Sequence, residues 1–95
     1  MEKIIFNVQN NPDITIVGRE VAYVHEQVND VTYRIYETQK GSWFFAALSN
    51  QNMLLKYEVI ENKSADKLVE ILGHSDLAKS LYTQLDIETA QNLDI

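Results

Sequence analysis

No cysteine occurs among the 95 residues, which removes disulfides and thiolate chemistry and fits a reducing compartment. There is one proline, Pro12, and there are three isolated glycines, so no glycine-rich phosphate loop can form. Only eight lysines and arginines stand against fourteen acids, for a net charge of −6. A phosphate backbone needs a basic face, and the charge argues against a nucleic-acid partner. The longest apolar run near the start is Ile4-Ile5-Phe6, between charged Lys3 and polar Asn7. It is too short for a signal peptide or a membrane span, so a soluble, cytoplasmic protein with no membrane partner is expected.

What the chain does contain is an apolar fraction of 45%, ordinary for a globular domain and too high for a disordered one. A chain this short makes one domain with little stability to spare. The acid is spread evenly: residues 1–62 and 63–95 each carry a net −3, and no like-charge tail forms. Such a surface keeps a small protein soluble or meets a basic partner.

The most informative segment is Ser42 to Leu48, Ser-Trp-Phe-Phe-Ala-Ala-Leu. A strand with one wet face alternates apolar and polar residues. Here Trp43, Phe45 and Ala47 would point one way and Phe44, Ala46 and Leu48 the other, so both faces need cover. Around this strand the first two-thirds reads as a meander. Lys3 to Val8 alternates, Asn10 to Asp13 is a turn cluster, and Ile14 to Val17 is a short strand that Gly18 is expected to break. Glu20 to Val28 and Val31 to Thr38 follow, joined by a turn at Asn29-Asp30. After Gln39-Lys40-Gly41 comes the buried strand, then a polar turn at 49–52 and a last strand from Met53 to Glu61.

At Ser64 the apolar period becomes helical. Leu68, Val69, Ile71 and Leu72 share a face between an N-cap at Ser64 and a C-terminal glycine at Gly73. Ser75 caps a second helix bearing Leu77, Ala78, Leu81, Tyr82 and Leu85, and Asp86 is placed to cap a third through Leu93. The expected fold is therefore α+β. An antiparallel sheet of five or six strands, curved or partly closed, occupies 1–62, and two or three helices from 63–95 cover one face. The other face is expected to be completed by a homodimer through Phe44, Leu48 and Tyr36, since large exposed apolar patches mark interfaces. A closed barrel would remove that need.

No constellation assigns chemistry. His25 and His74 lie on different elements, and adjacent strand residues such as His25 and Glu26 point apart, so neither histidine has a metal-binding set. The hydroxyls sit mainly at caps and turns, not beside a base. Around Gly73 the sequence Leu72-Gly73-His74-Ser75-Asp76-Leu77, followed by Tyr82, resembles the C-terminal motif of the tyrosine recombinases. On that resemblance His74 matches the position that assists phosphoryl transfer and Tyr82 the nucleophile. The likeness covers about twenty residues. The His-to-Tyr interval is one residue shorter than usual, which turns the tyrosine by about 100° around its helix. The family's His-x-x-Arg motif is absent, and C-capping followed by N-capping produces the same turn. The same two helices also fit a helix-turn-helix, but a recognition helix over 75–85 would carry only Lys79 as a base, beside Asp76.

The expected role is a small acidic interaction protein that binds another macromolecule, as an accessory subunit or an inhibitor or immunity-type protein, with no cofactor and no chemistry of its own. The alternative is a small-molecule or enzymatic site on an aromatic-lined concave sheet face, with Arg34, Tyr36, His25 and Glu58 as the polar groups that orient a ligand.

Overall fold

The computed structural model describes residues 1–90 and Leu93. Five strands, β1 (Glu2–Phe6), β2 (Ile14–Glu26), β3 (Val31–Thr38), β4 (Trp43–Leu48) and β5 (Leu54–Ile60), form an antiparallel meander in sequence order. A 3-10 turn at Glu61–Lys63 leads into two helices, α1 (Ala65–Leu72) and α2 (Asp76–Gln84). The α+β order is the one read from the sequence, and the sheet is curled into a half-barrel.

β4 lies inside the sheet, and all six of its residues are buried. Trp43 and Phe45 pack with Ile35, Ile60, Leu68, Ala78, Leu81 and Tyr82, the core under the helices. Phe44, Ala46 and Leu48 pack with Phe6, Tyr36 and Leu54 on the other side, flanked by Ile4, Val8, Ile14 and Ile16. The cover on this second face is the chain itself. β1 and the first half of β2 roll over until Leu54 donates its N–H to Asn7 O at 2.9 Å, with a parallel bridge between Asn7 and Met53. Phe44, Leu48 and Tyr36, expected to be dimer-interface residues, are therefore internal core. Their burial removes the uncovered face on which that expectation rested.

Gly18 does not break its strand. β2 runs through it for 13 residues, which reduces the five or six expected strands to five. The glycine is buried, and a Cβ there would stand 2.4 Å from Glu37 O. Only a residue without a side chain lets β2 approach β3 this closely, and a bulge between Glu20 and Ala22 adds local twist. Together they re-aim the strand so that its two halves cover opposite faces. Ile14 and Ile16 face the concave side, and Ala22 and Val24 face the helices.

The helices end where local chemistry places their ends. Ser64 Oγ accepts the Lys67 N–H and Ser75 Oγ the Ala78 N–H, each at 3.2 Å, satisfying otherwise orphaned donors. Gly73, at φ +73°, terminates α1. The third helix expected from Asp86 is not formed over the described residues: Asp86 is left-handed at φ +58° and the chain to Ala90 is irregular. The part of that expectation falling on residues 91–92 lies outside the described residues. Among these, no helix is long and apolar enough to cross a membrane.

Candidate functional site

Apart from the outer side of β1, paired among the described residues only where Asn7 meets Leu54, the half-barrel has two strand edges without a neighbouring strand, and the chain treats them differently. Beyond Gly18, β2 extends past the reach of β1. There α2 closes the edge: Tyr23 donates its N–H to Gln84 Oε1 at 2.9 Å, and Gln84 Nε2 donates to Tyr23 O at 2.7 Å. A side-chain amide thus stands in for a strand, and the helix that carries it covers the edge. β5 has no such cover. Beyond the Leu54–Asn7 bond, none of the backbone hydrogen bonds among the described residues reaches its outer side.

On that open edge Leu55, Tyr57 and Val59 are 58%, 48% and 51% exposed. Tyr57 and Val59 share the concave face with Phe44, since Val59 is directly opposite Phe44 and the Tyr57 ring stacks on it at 5.6 Å between centroids. From them a groove of about 470 Å³ runs to Ile14 and Ile16, with Thr38, Gln39, Lys40 and Ser42 at its mouth. The result is an apolar seam bordered by unpaired backbone donors and acceptors. This is the arrangement that accepts an extended segment, the main chain supplying affinity and the groove selecting side chains.

Of the four residues named as possible ligand groups, three lie on one face and the fourth does not. Arg34 and Tyr36 alternate along β3 on the concave side, opposite Ala46 and Phe44. His25 is on the neighbouring strand opposite Thr32. Glu58 is opposite Phe45 and so belongs to the helix face. The three that share a face are engaged within the chain. Arg34 Nη1 donates to Glu20 Oε1, and its guanidinium sits 4.8 Å from the centre of the Tyr23 ring. Burial opposes its charge, but the hydrogen bond and charge of Glu20 outweigh this and raise its pKa. Tyr36 is buried, its phenol pushed up by desolvation although Arg34 pulls the other way, and Phe6 meets its ring edge-on at 5.3 Å. His25 Nε2 lies 2.7 Å from Asp30 Oδ1, while Glu26 accepts the N–H groups of Val28 and Asn29. Both contacts stitch the β2–β3 turn. The seam groove is lined by none of the four.

At the Gly73-His74-Ser75 turn, Tyr82 is buried and donates its hydroxyl to Gly73 O at 2.6 Å. Desolvation raises its pKa, the reverse of what activates a phenol as a nucleophile. Tyr82 holds the turn between α1 and α2 together, as a core tyrosine with a polar partner does. Among the described residues no group of three or more His, Asp or Glu is placed to hold a metal ion.

Among the residues that line the seam the sequence points to Phe44, as an interface residue; Tyr57 and Val59 escaped the sequence reading. Their signal is the alternation Leu55-Lys56-Tyr57-Glu58-Val59, apolar on one side and charged on the other, on the last strand of a meander. No known protein family, curated protein or solved structure matches this chain.

Proposed function

We propose that this is an interaction protein, acting as an accessory subunit or inhibitor that binds another protein through the β5 seam, with no chemistry of its own. The observation that carries this is the contrast between these two edges: Gln84 closes that of β2, whereas beyond Leu54 the outward backbone groups of β5 have no partner among the described residues, beside exposed Tyr57 and Val59. An open apolar edge is an aggregation hazard unless something pairs with it. The acidic, cysteine-free composition fits a cytoplasmic protein whose partner is not a nucleic acid, and a homodimer belongs to the same reading.

Affinity capture from the native cytosol tests it, with wild type and Val59→Lys as baits. The lysine places a charge in the groove while leaving the β5 backbone in place. A protein captured in stoichiometric amount by wild type and lost with Val59→Lys is the expected result; captured proteins indifferent to the substitution overturn the seam as the site. A second reading, a small aromatic ligand stacked in the groove, is supported by the Phe44–Tyr57 pair, whose planes meet at 21°. Selective NMR shifts at Ile14, Ile16 and Tyr57 with an aromatic fragment set would favour it over the first.

A further inference from the structure

We propose that the β5 edge takes the β5 strand of a second copy, paired antiparallel about a two-fold axis through Tyr57, so that two five-stranded sheets become one. This rests on the reading of that edge as an interaction surface and names its occupant.

The orientation of the peptide groups comes first. Thr38 donates its N–H to Ser42 O at 2.9 Å, so that pair is hydrogen-bonded. Alternation along an antiparallel ladder then turns Trp43, Phe45 and Ala47 toward β5, against Ile60, Glu58 and Lys56. The intervening Tyr57 and Val59 carry their N–H and C=O groups outward, free to pair.

Register is decided by charge. Two copies of one strand meeting about an axis perpendicular to the sheet keep each face on its own side, so the axis passes through a residue. Centred on Lys56 it sets lysine against lysine, and centred on Glu58 it sets glutamate against glutamate, both destabilising directly across a strand pair. Centred on Val59 it places Glu58 opposite the partner's Ile60. Only the Tyr57 centre sets Lys56 against the partner's Glu58, and symmetry makes that pair twice. Lys56 and Glu58 share the helix face, opposite Ala47 and Phe45. Among the described residues neither forms an ion pair within its own chain, whereas Glu20, Asp30 and Glu37 all do. On the other face the same register brings the two Tyr57 rings side by side. The strand is self-complementary in charge on the helix face, and its concave face presents exposed Tyr57 and Val59.

Sedimentation equilibrium from micromolar to several hundred micromolar tests this on wild type, Lys56→Glu, Glu58→Lys and the double reversal. A wild-type dimer is expected. Each single reversal replaces two attractive pairs by two repulsive ones and should weaken association about tenfold or more. The double reversal restores opposite charges and should return to within about threefold of wild type. Circular dichroism confirms that each variant is folded, which the exposed setting of Lys56 favours. A wild type that stays monomeric overturns the proposal. So do single reversals that bind as tightly as wild type, or a double reversal as weak as the singles. A monomeric wild type that still captures a different protein through Val59 removes the second copy and leaves the seam reading standing. A rescued dimer whose captured proteins ignore Val59 does the opposite.

Discussion

The two faces of β4 are equally apolar and are covered by different means. On one, Trp43 and Phe45 meet α1 and α2, which carry their own caps and bury Leu68, Ala78, Leu81 and Tyr82. On the other, Phe44, Ala46 and Leu48 are covered by an earlier part of the same sheet, rolled over by a glycine and a bulge. Helical cover leaves no strand edge of its own, because a helix satisfies its own backbone and brings a continuous stripe of side chains. Sheet cover leaves an edge wherever the roll stops short of closure. The seam beside Tyr57 and Val59 is the direct consequence, and the proposed binding surface falls on the face that was covered the second way.

The largest effect is expected at Trp43, on the helix face. Trp43→Ala should cost about 3–5 kcal/mol, a large share of the stability of a small domain, and leave little folded protein by thermal or urea unfolding. A variant melting within a few degrees of wild type would mean that the helical cover does not depend on this side chain.

Gly18→Ala attacks the concave face instead. The added methyl meets Glu37 O, a backbone atom that moves only if β2 and β3 separate. A loss of about 1–3 kcal/mol is expected, together with faster amide exchange at Ile4 and Ile16 than at Leu68 or Leu81. Equal acceleration on both faces would show that the two covers are one cooperative unit.

The smallest effect is a pH dependence at the rim of the helix face. Lys63 donates a 2.8 Å hydrogen bond to Glu37, and Arg19 lies at 3.3 Å from its other oxygen, so β2, β3 and the turn into α1 are tied at one carboxylate. The hydrogen bond from Lys63, then the charges of Lys63 and Arg19, hold the Glu37 carboxyl below its ordinary value of 4.5. A lowered pKa in the folded state contributes stability above the ordinary value that is lost as pH falls through the lowered one. Melting temperatures followed downward from pH 6 should therefore fall more steeply for wild type than for Glu37→Gln. Parallel curves would show that the ion pairs contribute nothing at this rim.

How much of this was legible depends on how local each cause is. Ser64, Gly73 and Ser75 act within one turn of chain, and the helices begin and end where they stand. The facing of Trp43 and Phe44 follows from the two-residue period of a strand and is as drawn from the sequence. Gly18 has the same appearance in sequence whether it ends a strand or admits a neighbouring carbonyl, and only the position of Glu37 O distinguishes the two. Glu58 could be assigned to a face only through its register with Phe45. The third helix shows the converse: Asp86 is an acceptable N-cap, but it is used at positive φ in a turn after α2.

By itself the sequence determined the order of strands and helices, the two-sided burial of β4 and the acidic, cysteine-free surface, because each depends on composition or on spacing over a few residues. Only the tertiary structure decided what covers the second face. That outcome rests on Gly18 against Glu37 and on Asn7 against Met53, contacts between residues far apart in the chain that no local period encodes.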